Sequence, residues 1–225
     1  MSFLMFRHED TSVMVVTDTL ATTTDGTALM FQSKAWALPH LNMAIAATGV
    51  ANLGSAWNEF LLSSAVVQDM RMIDRFAPEE LRLLWQQVLD NGPKDTNITA
   101  TIYHFGFENG SDRAVRYVYR SASDFRSERI EDSGFGVKPA PRNFTIVEPE
   151  SSDEIVELAL RIRGEQDELP PAKRITIGGE LQMMFIQNRL TQTMRIHRFS
   201  DYENAWQKMV DRLAQASEEG PLGLV

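Results

Sequence analysis

The chain has 225 residues, 43% hydrophobic and 24% charged, enough to bury a sizeable core as one large domain or two small ones. Its 31 acidic against 22 basic residues give a net charge of −9, which argues against a non-specific nucleic-acid surface and against docking on anionic membranes. The absence of cysteine excludes disulfides, thiolate catalysis and cysteine-ligated zinc. The four histidines, His8, His40, His104 and His197, show no i,i+4 pair, so no metal is expected.

No apolar run reaches the roughly 18 residues of a membrane span. The first ten residues lack the basic and long apolar regions of a secretory signal. A soluble cytoplasmic protein is the expectation.

In chain order, residues 3–7 and 13–17 alternate apolar and polar around the turn His8-Glu9-Asp10, which predicts a β-hairpin. Residues 22–26 form a polar, turn-rich loop. Short apolar runs at 33–38 and 42–48, split by Pro39-His40, predict two more strands. Apolar residues at three- and four-residue spacing predict one helix over 51–73. Pro78 followed by Glu79-Glu80 reads as the first turn of a second helix, running to about Asp90.

Residues 98–107 and 113–120 alternate and flank Glu108-Asn109-Gly110-Ser111, a second hairpin. Residues 124–142 look irregular. The run from Ser151 to Glu154 caps a helix expected to reach Arg163 and to end at Gly164. Two last strands are expected at 181–186 and 193–199. A final helix, capped by Ser200-Asp201, runs to about Ala216 with Trp206 and Met209 on its apolar face. The expectation is one domain over 1–217 and a mobile tail over 218–225.

Ser2 carries the first chemical signal. A small hydroxyl residue at this position is where an initiator Met is normally removed. Removal leaves a free α-amine beside a hydroxyl, a base and a nucleophile in one residue. Asp18 closes the second strand, and Lys34 lies sixteen residues beyond it. The blander alternative is an ordinary second residue, a turn aspartate and a solvated lysine.

This opening resembles that of a proteasome β-subunit, and more closely that of its bacterial ring-protease relative that pairs with an unfoldase ATPase, both N-terminal nucleophile (Ntn) hydrolases. In that family a mature N-terminal Thr opens the first strand, an Asp follows the second, and a Lys stands sixteen residues later. With Ser2 as the first mature residue, Asp18 and Lys34 match without a gap. The small-residue run at 46–51 is similar to the segment closing the family's fourth strand.

The resemblance implies an α+β fold, a four-layer αββα sandwich with antiparallel sheets. It implies that Ser2 attacks a peptide or amide carbonyl while its α-amine, titrating near ~7.7–8, takes the proton. Lys34 would depress that amine by like-charge repulsion, Asp18 would hold Lys34, and the Gly49 N–H would donate to the oxyanion. Thr22 and Thr48 would align the substrate, and Ser133 in Asp132-Ser133-Gly134 is a further supporting candidate. No cofactor is implied. A homo-oligomeric ring or related assembly is implied, with an ATPase partner by analogy only.

The chain departs from the family in Ser for Thr at the nucleophile. It departs again in Arg174 and Ile177 at the positions of a supporting Asp and Ser before Gly178-Gly179. The alternatives are a catalytically inactive scaffold of the same fold and a non-proteolytic amidase.

Overall fold

Strand register is set where one face of an alternating segment must be buried. The computed structural model describes residues 2–23, 26–64, 67–92, 98–187 and 190–219. Its elements run β1 (Leu4–His8), β2 (Ser12–Asp18), β3 (Leu20–Thr22), β4 (Ala28–Phe31), β5 (Ala35–Leu38), β6 (Met43–Gly49), α1 (Ala51–Ser63) and α2 (Met70–Asn91). There follow β7 (Ala100–Phe107), β8 (Ala114–Arg120), β9 (Glu128–Ile130), β10 (Gly134–Lys138), α3 (Ser152–Asp167), β11 (Glu180–Gln187), β12 (Leu190–Arg198) and α4 (Tyr202–Glu219).

The strands form three antiparallel sheets. The first, of five strands, has the order β10-β1-β2-β11-β12; the second pairs β3 with β4; the third, again of five strands, has the order β5-β6-β7-β8-β9. Alternation along β1 and β2 separates two cores. Leu4, Val13 and Val15 meet Ala44, Ala46, Tyr103 and Phe105 between the two large sheets. Phe3, Met5 and Val16 face the other way and pack under Ile155, Ala159 and Ile162 of α3. A third core lies between the outer face of the second large sheet and helices α1 and α2, around Trp57, Ile73 and Leu81. Fully burying a side chain of this size is worth about 1.5–3 kcal/mol.

The expected four-layer sandwich is overturned by this division into three sheets of five, two and five strands. β3 and β4 leave the large sheets, and α4 follows them. Phe31 of β4 stacks on Tyr202 with ring centroids 4.4 Å apart, and Arg212 donates to the Ala28 carbonyl at 2.6 Å. Thr22, the first residue of the loop expected over 22–26, ends β3 of a small sheet that the last helix covers, while residues 24 and 25 of that loop lie outside the described residues. Trp206 stacks on Phe31 but stays half exposed, whereas Met209 is buried.

Other boundaries also move. The helix expected over 51–73 is two: α1 stops at Ser63, and Asp69 starts α2 by accepting the Met72 N–H at 2.9 Å. Pro78 thus lies inside α2 rather than at its start. The stretch 124–142, expected irregular, supplies β9 and β10, and β10 becomes the neighbour of β1. Gly164 lies inside α3, because the helix continues to bury Gln166, whose side chain accepts the Ile175 N–H at 3.0 Å. Residues 220–225 of the expected mobile tail lie outside the described residues.

Candidate active site at the N-terminal strand

β1 is held on both edges, pairing Leu4 with Thr17 on β2 and with Lys138 on β10. The pairing continues one residue outward, where the Asp18 N–H reaches the Phe3 carbonyl at 3.4 Å. Ser2 is therefore placed at a strand end that two neighbours fix, and it is buried. By the two-residue period of a strand, Ser2 shares the face of Leu4, which looks into the space between the large sheets.

Asp18 and Lys34 are brought together. Lys34 Nζ lies 2.7 Å from Asp18 Oδ1 and donates to the Leu20 carbonyl at 2.7 Å; both side chains are buried. Asp18 accepts two further hydrogen bonds, at Oδ1 from the Phe3 N–H at 2.9 Å and at Oδ2 from the Gly178 N–H at 3.1 Å. A buried carboxylate is tolerable only with such partners. The first of these bonds ties the pair to the residue beside Ser2. The second ties it to Gly178-Gly179, where Gly179 takes φ +78° and the Leu20 N–H donates to the Gly178 carbonyl at 3.1 Å.

β6 brings Thr48 and Gly49 to the same end of the molecule. The Ala47 N–H donates to the Lys34 carbonyl at 2.9 Å. Gly49 ends the strand at φ +101°, and a Cβ there would sit 1.9 Å from the Thr99 carbonyl oxygen, so no other residue fits without backbone movement. α1 begins two residues later with no side-chain cap on its first N–H groups. Thr48 faces Thr101 across the β6–β7 pair. Thr22 ends β3, two residues past the Leu20 carbonyl that Lys34 holds.

Ser133 is not part of this cluster. It precedes β10 at the His8 end of β1, and its hydroxyl lies 3.2 Å from Asp10 Oδ1. Arg174 turns to the carbonyls of Asp167 and Leu169, and Ile177 is buried beneath α3. Two groups at the site escape a reading by residue type. One is the Gly178 N–H, whose signal was the Gly-Gly pair; a backbone donor has no side-chain signature. The other is Lys138, opposite Leu4, in a stretch with no strand periodicity to place it. Burial, with the Arg120 charge nearby, lowers the Lys138 pKa from its ordinary value. Among the described residues no group of three or more acidic, histidine or cysteine side chains could hold a metal, and no helix is long and apolar enough to cross a membrane.

No family model and no curated protein matches the sequence. Solved structures do match. Anbu (ancestral beta-subunit) from Yersinia bercovieri covers 99% of this chain and 100% of its own, at TM-score 0.57 and 11% identity. The Anbu complex from Pseudomonas aeruginosa, described as a helical assembly, covers 97% of each chain at TM-score 0.59 and 11% identity. Anbu from Hyphomicrobium sp. strain MC1 covers 99% of this chain and 100% of its own, at TM-score 0.53 and 13% identity. The chain thus shares the fold of these Anbu proteins. The resemblance to proteasome β-subunits and their ring-protease relative is corrected by these neighbours, which are Anbu proteins. The Ser2, Asp18 and Lys34 spacing follows the hairpin and the strands after it, and such a frame does not separate one branch of a fold from another.

Proposed function

We propose that the chain is an Ntn hydrolase that cleaves peptide or amide bonds with Ser2, once removal of Met1 has freed its α-amine. The observation that carries this is the buried Lys34–Asp18 ion pair, hydrogen-bonded to the residue next to Ser2. A lysine ammonium has three donors. Asp18 and the Leu20 carbonyl take two of them. In this reading the third is directed at the Ser2 hydroxyl and favours its alkoxide character.

The steps balance without a cofactor. Ser2 Oγ attacks the carbonyl carbon as its proton passes to the α-amine. The Gly49 N–H, at the junction with α1, stabilises the oxyanion. Collapse breaks the C–N bond, and the α-ammonium gives its proton to the leaving amine. Water, deprotonated by the same amine, then attacks the acyl-Ser2 ester; the C–Oγ bond breaks and the α-ammonium returns its proton to Ser2 Oγ. Thr22 and Thr48 flank the path of an extended substrate that pairs in strand-like fashion.

The test is intact mass and N-terminal sequencing of the native protein, with labelling by an electrophile that closes a ring on adjacent amine and hydroxyl groups. A chain starting at Ser2, labelled one to one, is expected, and label is lost in Ser2→Ala and in Lys34→Ala. A uniform Met1 start, or unchanged labelling in both variants, rejects the mechanism. One observation favours a second reading, an inert scaffold: the 175–180 segment supports Asp18 through a backbone N–H alone, with Ile177 in the core. A Ser2 start that resists labelling selects it. The helical assembly of the Pseudomonas Anbu complex supports self-association of this chain as well.

A further inference from the structure

Lys138 is a partly buried cation without a carboxylate. Its ammonium lies 3.4 Å from Thr101 Oγ1 and 5.3 Å from the centroid of the Tyr103 ring, and no acidic side chain pairs with it among the described residues. The nearby Arg120 is already paired with Glu128. A half-buried ammonium that faces only a hydroxyl and a ring has lost water without gaining a counter-charge. Its lowered pKa, from burial first and Arg120 second, expresses the same deficit.

The position of this cation is fixed by register. Lys138 pairs with Leu4 on β1, two residues from Ser2, and Leu4 faces the space between the large sheets. Ser2 shares that face by strand parity. Strand rise and strand spacing put the Ser2 and Lys138 Cα atoms about 8 Å apart, within the span of a lysine and one substrate side chain. Thr101, which Lys138 touches, is the β7 partner of Thr48, one residue before Gly49. The cation, the nucleophile candidate and the oxyanion-donor candidate thus lie at one end of the space between the two large sheets.

We infer that Lys138 is a specificity residue that selects a substrate carboxylate, an Asp or Glu side chain next to the scissile bond. This rests on the Ser2 reading for the location of the scissile bond, but not for the ammonium–carboxylate contact itself. An acidic side chain would supply the missing counter-charge to an ammonium already partly withdrawn from water, where a charge-assisted hydrogen bond is stronger than in bulk solution.

The experiment uses two blocked peptides, Ac-Ala-Ala-Glu and Ac-Ala-Ala-Gln, as fluorogenic amides for turnover and as free amides for calorimetric binding to the Ser2→Ala variant. The expected result is at least a tenfold preference for Glu in kcat/KM and in affinity. Lys138→Met brings the ratio within about twofold, while Lys138→Arg keeps most of it and guards against misfolding as the cause. Equal handling of Glu and Gln, a preference unchanged in Lys138→Met, or binding of neither peptide overturns the inference. A Lys138-dependent preference in binding, without turnover or electrophile labelling in the wild type, supports the specificity role and rejects the Ser2 mechanism instead.

Discussion

Asp18 joins four groups: the Lys34 ammonium, the Phe3 and Gly178 N–H donors, and, through Lys34, the Leu20 carbonyl. Removing one partner of a buried pair leaves an uncompensated charge, typically costing about 3–5 kcal/mol. Asp18→Ala is therefore expected to lower the denaturant midpoint sharply. In a double-mutant cycle, Asp18→Asn with Lys34→Met should cost less than the sum of the single changes. Additive losses would show that the pair is not coupled. His104 carries a second prediction. It is fully buried, accepts the Trp57 indole N–H at 2.7 Å, and has a pKa lowered by burial to about 3. Between about pH 6.5 and 3 the unfolded chain binds the proton that folded His104 refuses, so stability falls with acidification through that window. Thermal melts of His104→Leu should show a flatter decline from pH 6.5 to 4, by up to about 3 kcal/mol. The variant should also carry a pH-independent loss of about 1–3 kcal/mol from the orphaned indole donor. An identical pH slope in the two proteins would refute the assignment.

Between elements, the junction of β6 and α1 is the narrowest constraint. Gly49 takes a left-handed φ and lies against the β7 backbone, so Gly49→Ala must move Thr99 or tilt the strand end. A loss of about 2–4 kcal/mol in urea unfolding is expected, because strain and a steric clash add. Electrophile labelling should fall further than stability does. Unchanged stability would mean that the β6 end is not held as described. Glu108, at the far end of the same sheet, ties α2 to β8 and β9 through Arg71, Tyr117 and Arg129. Burial would raise its pKa, but these three partners hold it at about 2. Much of this element layout was legible in the sequence: the first hairpin, the strand pairs around Pro39 and around Asn109, and the Ser151 cap all follow from alternation and turn chemistry. β9 and β10 were not, since Gly134, Gly136 and Pro139 erase the alternating pattern. β10 exists because β1 offers it an edge, and a Cβ at Gly136 would meet the tip of the Phe6 ring at 2.5 Å, so a larger residue there would have to displace that ring.

At the scale of the whole molecule, β1 lies inside its sheet with β10 on one side and β2 on the other, so the N-terminus is clamped by segments more than a hundred residues apart in sequence. The self-association proposed above predicts oligomers at micromolar concentration in sedimentation velocity, and a strictly monomeric chain would reject that proposal. By itself the sequence determined the composition limits and the Ser2, Asp18 and Lys34 spacing, because hairpin geometry and side-chain type are local properties. That Asp18 holds Lys34 was implied by the resemblance; only the tertiary structure decided that the pair is buried and that Gly178 joins it through its backbone. It alone set Ser133 at the opposite end of β1 and an unpaired Lys138 near Ser2. The physical reason is that these relations are set by strand order and register, which depend on which long-range faces can be buried together, and no single segment encodes that.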